Sequence, residues 1–225
     1  MTNHIKAQAP GHANLSSMKV ITDPTEITDT YALYLDDESH SFDGFAENIY
    51  FPTSVNQVSA ILREAFENGT PVTIQGGRTG LTGGAVPLGG IILNLEKMTE
   101  LLYMDYSADY GFYSIAGQAG VLLEDLVAAV QTKSLDAIKG KGTTNQQKAL
   151  DQFLSESDSF SFPVDPTEMS AWLGGIVACN ASGARTLKFG AVRDWVFRIQ
   201  VVLMNGDILD IERGRVFAKD GKLIS

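Results

Sequence analysis

A glycine-rich stretch between two apolar runs is the feature that most constrains this chain. Residues 75–90 read QGGRTGLTGGAVPLGG, in which seven residues are glycine. Glycine loses more conformational freedom on folding than any other residue, so a folded domain concentrates it only for a reason. The usual reason is the close approach of backbone N–H groups to an anion, often a phosphate. A glycine-rich loop without a ligand is the alternative interpretation.

The spacing matches neither of the two common phosphate-binding loops. A Walker loop ends in Gly-Lys-Ser or Gly-Lys-Thr, and this stretch contains no lysine. A Rossmann fingerprint opens a helix, which Pro87 would block soon after the glycines. The stretch therefore predicts either an anion-binding loop of another class or a loop that binds nothing.

A second segment of small residues, 172–190, reads WLGGIVACNASGARTLKFG and follows Pro163-Val164-Asp165-Pro166. Together the two segments resemble the FAD-binding domain of the vanillyl-alcohol oxidase and p-cresol methylhydroxylase (PCMH) superfamily. The likeness is greatest to the FAD-linked branch that holds glycolate and D-lactate dehydrogenases. The first stretch resembles its Gly-x-Gly-Thr-Gly-Leu-x-Gly-Gly pattern, and the second its Gly-Gly-x-x-Ala-x-Asn-Ala-x-Gly pattern. Residues 189–194 resemble its Tyr-Gly-x-x-Arg-Asp stretch.

The resemblance implies an α+β fold of the PCMH type, with two α+β subdomains and mixed sheets that hold FAD between them. It divides the chain into a lead-in over 1–44, the FAD-binding domain over 45–215, and 216–225 as the start of a C-terminal cap or substrate domain that this chain lacks. We expect the subdomain break near residue 105. Relatives usually have a shorter connection where residues 131–160 stand, so we interpret that segment as a surface insertion.

The resemblance also assigns cofactor contacts, position by position. The backbone of the first stretch cradles the FAD diphosphate, and the second segment runs beside the flavin. Some members of the superfamily carry a histidine, bonded covalently to the flavin, where Thr79 stands, so we expect FAD to bind non-covalently here. The predicted FAD-binding residues are Gly76, Gly77, Arg78, Thr79, Gly80, Leu81, Gly83, Gly84, Pro87, Gln118, Gly120, Pro163, Trp172, Gly174, Gly175, Ala178, Asn180, Gly183 and Ile208.

Several of these assignments have alternatives. Arg78 either makes a charge-assisted bond to the diphosphate or faces solvent. Asn180 either bonds the flavin or anchors its own loop. Relatives often carry threonine at the position of Trp172 and asparagine at that of Ile176, so the bulky Trp172 either stacks on the adenine or blocks part of the pocket.

The remaining chemistry-bearing residues are few. The three histidines, His4, His12 and His40, are scattered near the start of the chain, which favours solvated side chains over metal ligands. No Ser-His-Asp set is available after residue 40. We expect Cys179, the one cysteine, to be a small buried residue, since no histidine stands near it to activate a thiolate. From this sequence we therefore name no catalytic residue, and we predict no metal ligand.

Composition and net charge limit the classes of binding partner and the cellular compartment that we expect for this chain. The chain has 225 residues and a net charge of −10, which disfavours nucleic acid or an anionic membrane as an electrostatic partner. No apolar run approaches the ~20 residues of a transmembrane helix. A single cysteine excludes an internal disulfide and favours a reducing cytoplasm.

These observations favour the FAD-binding part of an oxidoreductase that oxidises a small 2-hydroxy acid such as glycolate or D-lactate, completed by a cap domain or a partner subunit. The alternative is a non-catalytic or degenerate flavin-binding subunit, which the bulk of Trp172 favours.

Local patterns predict the main elements. Apolar residues at helical spacing predict a helix that begins after Ser54 and ends at Gly69. Apolar runs predict strands over 71–75, 91–95 and 112–117, and helical spacing predicts a helix over 122–130. A weaker helix is expected over 145–155. Asn205-Gly206 between two β-rich runs predicts an antiparallel hairpin. The first eighteen residues show no periodicity and are expected to form a loose arm.

Overall fold

Both ends of the chain belong to the same structural unit. In the computed structural model, which describes residues 6–8, 15, 17–40, 43–164, 168–219 and 222–224, the chain divides into two compact units. Unit 1 comprises Met1–Lys97 and Val196–Ser225, and unit 2 comprises Met98–Trp195. The chain therefore leaves unit 1 after Lys97, somewhat before the break expected near residue 105, and returns to it at Val196.

The first part of unit 1 is built around a mixed sheet. Its elements are β1 (Lys6–Gln8), β2 (Lys19–Ile21), α1 (Pro24–Asp29), β3 (Asn48–Phe51), α2 (Val55–Asn68), β4 (Val72–Gln75) and β5 (Ile91–Asn94). The sheet has the order β2-β3-β5-β4, in which β2 is antiparallel to β3 and the other neighbours are parallel. All four residues of β5 are buried, as a central strand with a continuous apolar run should be.

The clearest predicted helix, α2, has the expected ends. The Ser54 hydroxyl accepts a hydrogen bond from the Gln57 N–H, and Gly69 ends the helix in the left-handed conformation. The face that carries Val58, Ile61 and Leu62 is buried. Phe66, which shares the helical spacing, is 60% exposed, so it lies outside the buried face.

Unit 2 combines a strand pair with helices. Its elements are β6 (Leu101–Ser107), β7 (Phe112–Gly117), α3 (Leu123–Thr132), α4 (Thr144–Ser155), α5 (Leu173–Ala178) and α6 (Thr186–Phe189). Strands β6 and β7 pair antiparallel. The core of this unit is a cluster of buried residues formed by Met104, Leu135, Ile138, Leu150 and Phe153.

The interpretation of residues 131–160 as a surface insertion was wrong. Four members of the unit 2 core cluster, Leu135, Ile138, Leu150 and Phe153, come from this segment. Helix α4 begins with a capping box, in which the Thr143 hydroxyl accepts from the Gln146 N–H and the Gln146 side chain accepts from the Thr143 N–H. A helix with a well-formed start and a buried face is part of the unit's core, whatever the length of this connection in relatives.

The chain returns to unit 1 as β8 (Arg198–Val202), β9 (Ile208–Glu212), β10 (Phe217–Lys219) and β11 (Lys222–Ile224). Strands β8 and β9 form the predicted antiparallel hairpin. The predicted turn was wrong in detail, because only Gly206 has a positive φ, of 84°, and Asn205 does not. The Gly206 N–H donates to the Leu203 carbonyl and the Leu203 N–H to the Asp207 carbonyl, so the hairpin has a three-residue loop, residues 204–206, instead of the two-residue type I′ turn.

Two further features of unit 1 concern its β8–β9 hairpin, and the first differs from expectation. Lys6–Gln8, assigned to a loose arm, pair antiparallel with β9. A Cβ on Gly206 would lie 2.8 Å from the Ser59 carbonyl oxygen of α2, so the hairpin turn packs directly on that helix.

Among the helices of the described ranges, none has the length and apolar character needed to cross a membrane.

Candidate functional site

The first glycine loop, defined as residues 76–84, leaves the end of strand β4, an edge strand of the sheet in which Gln75 is buried. None of its nine backbone N–H groups donates a hydrogen bond to another residue within the described part of the chain. Two of its carbonyls are used, since Arg78 O accepts from the Glu38 N–H at 3.2 Å and Gly83 O accepts from the Val86 N–H at 3.2 Å. Backbone donors inside a fold are nearly always paired, so a run of open N–H groups is available to solvent or to a ligand.

Two amides fix the base of this loop. Gln75 is fully buried, and its Nε2 donates to the carbonyls of Tyr34 at 2.6 Å and Ala85 at 2.7 Å. Its Oε1 accepts from Nδ2 of Asn94, also fully buried, at 3.2 Å. Because Gln75 and Asn94 are register partners at the ends of β4 and β5, the loop rises from a rigid, hydrogen-bonded end of the sheet.

Asp37 holds the far side of the loop. This carboxylate is 4% exposed, and it accepts from the N–H groups of Ser39 at 2.9 Å and Ala85 at 3.3 Å. Burial alone would raise its pKa, but the hydrogen bonds from Ser39 and Ala85 outweigh burial and hold the pKa below its ordinary value of 3.8. The charged form of Asp37 is therefore the one that fits this position.

Arg78 has the most constrained conformation in the loop. Its φ is 58°, in the left-handed region, and its guanidinium lies over the Tyr34 ring, 4.4 Å from the ring centroid. Its Nη1 is buried and has no hydrogen-bond partner among the described residues. The Tyr34 hydroxyl donates to Glu96 Oε2 at 2.6 Å, and burial together with this bond raises the pKa of Tyr34. The arginine side chain thus packs on an aromatic ring instead of facing solvent.

The other residues of the loop leave open space. Leu81 is 76% exposed, and a Cβ on Gly80 would meet no atom within 4 Å. Gly84 and Thr79 are also accessible. Pro87 follows as a buried residue whose carbonyl accepts from the Phe45 N–H at 2.9 Å, so the exit from the loop is fixed.

The second glycine segment, defined as residues 172–190, lies in unit 2 and uses its backbone differently. The N–H groups of Leu173 and Gly174 donate to the carbonyls of Val121 and Ala119, each at 2.8 Å. A Cβ on Gly174 would lie 2.6 Å from the Ala119 Cβ, closer than real Cβ contacts occur. Gly174 is therefore required for packing, whereas a Cβ on Gly175 would meet nothing within 4 Å.

Asn180 anchors its own loop, which was one of its two predicted roles. It has a φ of 47°, and its Oδ1 accepts from the Arg193 N–H at 3.0 Å. The Gly183 N–H is likewise used, donating to Thr186 Oγ1 at 2.8 Å. Cys179 is exposed, so the prediction of a buried cysteine was wrong. It stands at the end of the short helix α5, where the chain turns away from the packed face.

The remaining predicted contacts are distributed over both units. In unit 2 the Gln118 N–H donates to the Glu100 carbonyl and the Gly120 N–H to the Met98 carbonyl, so their turn is bonded to the residues that precede β6. Trp172 is half-buried and forms an isolated bridge with Leu122. Of the other predicted residues, Ala178 is exposed, Pro163 is half-buried, and Ile208 is 3% exposed within β9 of unit 1.

Among the three histidines, the structure describes only His40. His4 and His12 lie outside the described residues, as do Asp165 and Pro166. His40 pairs with Asp36, with 2.7 Å between Nδ1 and Oδ2. The described ranges contain no group of three or more His, Cys, Asp and Glu side chains arranged to hold a metal ion.

Comparison with known proteins identifies this arrangement. Residues 46–139 match the protein family described as FAD binding domain. The chain is 38% identical over 169 residues to the D-lactate dehydrogenase of Archaeoglobus fulgidus, covering 74% of this chain and 31% of that protein. It is 28% identical over 205 residues to the glycolate oxidase subunit GlcD of Bacillus subtilis, covering 89% of this chain and 37% of that protein. Residues 46–139 of this chain therefore form an FAD binding domain of that family.

Structural similarity supports the same fold. The 6-hydroxy-D-nicotine oxidase of Arthrobacter nicotinovorans superposes with a TM-score of 0.60 at 19% identity, over 87% of this chain and 36% of that one. The predicted α+β fold of the PCMH type is confirmed, and FAD is confirmed as the cofactor of this domain. The chain spans about a third of the length of the curated relatives it matches.

The residues of the PCMH-type domain fit the FAD diphosphate best in unit 1. A diphosphate offers anionic oxygens and needs donors, and the first glycine loop has nine backbone N–H groups without a described protein acceptor. The open space beside Gly80 leaves room for a ligand, and the Thr79 hydroxyl adds a donor. The structure therefore has a donor set that suits the cofactor that the family binds.

Sequence reasoning missed the residues that support this loop. Tyr34, Asp37 and Glu96 lie far from the glycines in sequence, and no local pattern connects them. A signal for the two amides was present, because Gln75 and Asn94 each end a short apolar strand run with a polar residue. Such a residue at the end of a buried strand must find a partner, and here the two amides partner each other.

Proposed function

We propose that this chain is the FAD-binding portion of a flavin-dependent oxidoreductase that oxidises a 2-hydroxy acid such as glycolate or D-lactate, with hydride transfer to non-covalently bound FAD. The observation that carries the proposal is the run of open backbone donors in the first glycine loop. The similarity to a D-lactate dehydrogenase and to a glycolate oxidase subunit supports the substrate class.

The proposed contacts differ between the two units. In unit 1 the backbone of the first glycine loop and the Thr79 hydroxyl bind the diphosphate. In unit 2 Gly175 leaves the open space in which a cofactor can approach α5, and Gly174, Asn180 and Gly183 hold that segment in shape. When bound, FAD supplies the hydride acceptor, and the residues of this chain bind it and fix its orientation.

Non-covalent attachment follows from the side chains that the first glycine loop offers. Threonine and arginine form no stable bond to a flavin, and the loop contains no histidine or cysteine. We expect the purified chain to bind FAD and to release it on acid precipitation, with the yellow colour in the supernatant. Colour that stays with the pellet would contradict the non-covalent attachment, and a chain that takes up no FAD would favour a degenerate domain.

The substrate-binding and acid–base groups are proposed to come from a cap domain or a partner subunit. The described residues of this chain provide no histidine beside the predicted flavin segment, and the chain spans about a third of its relatives. We expect slow, unselective dye reduction at most when the isolated chain is given glycolate, D-lactate or D-2-hydroxyglutarate. Rapid turnover of any of these acids by the isolated chain would show that a catalytic group lies within it.

A further inference from the structure

Arg78 occupies a backbone conformation that its side chain disfavours. Its φ of 58° belongs to the left-handed region, which residues with a Cβ rarely adopt. Asparagine and aspartate enter this region with the help of short side-chain hydrogen bonds, which arginine cannot form. Some other contact must therefore hold Arg78 in place.

That contact is a fixed aromatic platform. The guanidinium of Arg78 lies 4.4 Å from the centroid of the Tyr34 ring. The ring is held from behind by an edge-on contact with Phe51, with 5.6 Å between centroids, and by its hydroxyl, which donates to Glu96. Its carbonyl accepts from the buried Gln75 amide at the base of the loop. Tyr34, on which Arg78 stacks, is thus held by three separate interactions.

The main chain of Arg78 is fixed as well. Its carbonyl accepts from the Glu38 N–H at 3.2 Å, so Arg78 is held at both its backbone and its side chain. The surrounding loop has no N–H that bonds another residue of the described ranges, so it lacks the usual source of internal order. Ordering such a loop at the moment of binding would weaken affinity, and ordering it beforehand avoids that loss.

We propose that Arg78 and Tyr34 are positioning residues that hold the first glycine loop ready for the diphosphate of FAD. The inference rests on the proposed function of this loop. It differs from a direct ion pair, because the contacts that define this role are the stack of Arg78 on Tyr34 and the hydrogen bond from Glu38 to its carbonyl. Arg78 acts through the loop's shape, and the backbone N–H groups make the contacts.

The sharpest test is Arg78→Gly in the full chain. Glycine accepts the left-handed conformation without strain, so the thermal unfolding midpoint should be kept. Loss of the stack should weaken FAD binding about tenfold and speed FAD release, as followed by flavin fluorescence. Tyr34→Leu should give a similar loss, and the double variant should lose no more than either single variant, because the two residues act as one unit.

A matched control is available in unit 2. Lys133 also has a left-handed backbone, with φ of 55°, and its ammonium lies 5.6 Å and 5.3 Å from the centroids of the Phe153 and Phe160 rings. Lys133→Gly removes the same kind of contact from the same kind of backbone, outside the glycine loop. It should leave FAD affinity within about twofold of the parent value, since Lys133 shares no contact with Arg78 or Tyr34 among those described for these residues.

Three outcomes would overturn the positioning role. These are unchanged FAD affinity in Arg78→Gly, additive losses in the double variant, and a loss in Arg78→Gly that disappears at high salt. The last would mean that Arg78 attracts the diphosphate by its charge, which salt screens. If the parent chain bound no FAD at all, the proposed function would fail instead, so the two failures can be told apart.

Discussion

The first glycine loop and the second glycine segment have similar compositions, but they use their backbones in opposite ways. In residues 76–84 no N–H group has an acceptor within the described chain. In the second segment, Leu173, Gly174 and Gly183 all donate to neighbouring residues of unit 2. In the first glycine loop, glycine leaves the backbone N–H groups open. In the second glycine segment, Gly174 lets α5 pack on the turn that contains Ala119. Whether the backbone N–H groups have acceptors in the protein therefore indicates a ligand-binding loop better than the number of glycines does.

Among the variants proposed here, Gly174→Val should have the largest effect, which is a loss of folding stability. A valine side chain would overlap Ala119, whose Cβ would lie 2.6 Å from the new Cβ. We expect the free energy of unfolding to fall by about 3 kcal/mol, the upper range for overpacking. Chemical denaturation measures this loss. Gly175→Val is the control, since its Cβ meets nothing, and equal destabilisation by both valines would contradict the difference between these neighbours.

Gly80→Val should give the complementary result in the first loop. A Cβ at this position has free space and no positive φ, so the fold should be retained. The branched side chain would occupy the space beside the open N–H groups, and FAD affinity should drop about a hundredfold, which is roughly 2.7 kcal/mol. Flavin fluorescence titration and thermal unfolding separate the two quantities. Tight FAD binding by this variant would place the diphosphate elsewhere.

Asn180→Ala should destabilise unit 2 by about 1.5 kcal/mol, because it leaves the Arg193 N–H without its acceptor and places alanine in a left-handed conformation. Asn180→Gly is the control, since it removes the same acceptor but accepts the conformation, and it should cost less. If alanine and glycine were equally harmful, the hydrogen bond alone would account for the role of Asn180. No change in either variant would show that the anchor is dispensable.

The smallest expected effect is a pH dependence at the first loop. The pKa of Asp37 is lowered in the folded state, so the unfolded chain binds more protons in the acid range. The contribution of Asp37 is therefore complete above its ordinary pKa of 3.8 and is lost as the pH falls through its lower folded value. Asp37→Asn should flatten this part of the curve of unfolding free energy against pH. An unchanged curve would show that Asp37 does not couple the loop to pH.

Local signals predicted the elements whose ends are set by nearby residues. Helix α2 was predicted correctly because Ser54 and Gly69 cap it through their own side chain and backbone. The β8–β9 hairpin was predicted from Asn205-Gly206, although its turn type was not, since packing of Gly206 on α2 helps to shape the turn. Capping and turn chemistry depend on a few consecutive residues, so a single sequence contains them.

Features that depend on distant partners could not be predicted in the same way. Strand β6 mixes polar and apolar residues without clear alternation. It is recognisable as a strand only from its pairing with β7 and from its hydrogen bond to Gln146 of α4. The burial of Leu150 and Phe153 depends on a core assembled with Met104. In the candidate site, the glycines were visible in the sequence, but Tyr34, Asp37 and Glu96 reach the loop only through the fold.

The split composition of unit 1 has a consequence for the order of folding during synthesis. Unit 2 is one continuous stretch, so all of its residues have been made once Trp195 has been added. Unit 1 still lacks the β8–β9 hairpin at that moment, including Gly206, which packs on α2, and β9, which pairs with β1. Domains tend to fold as units as they emerge from the ribosome. The second part of unit 1, Val196–Ser225, is therefore synthesised only after every residue of unit 2 is in the chain.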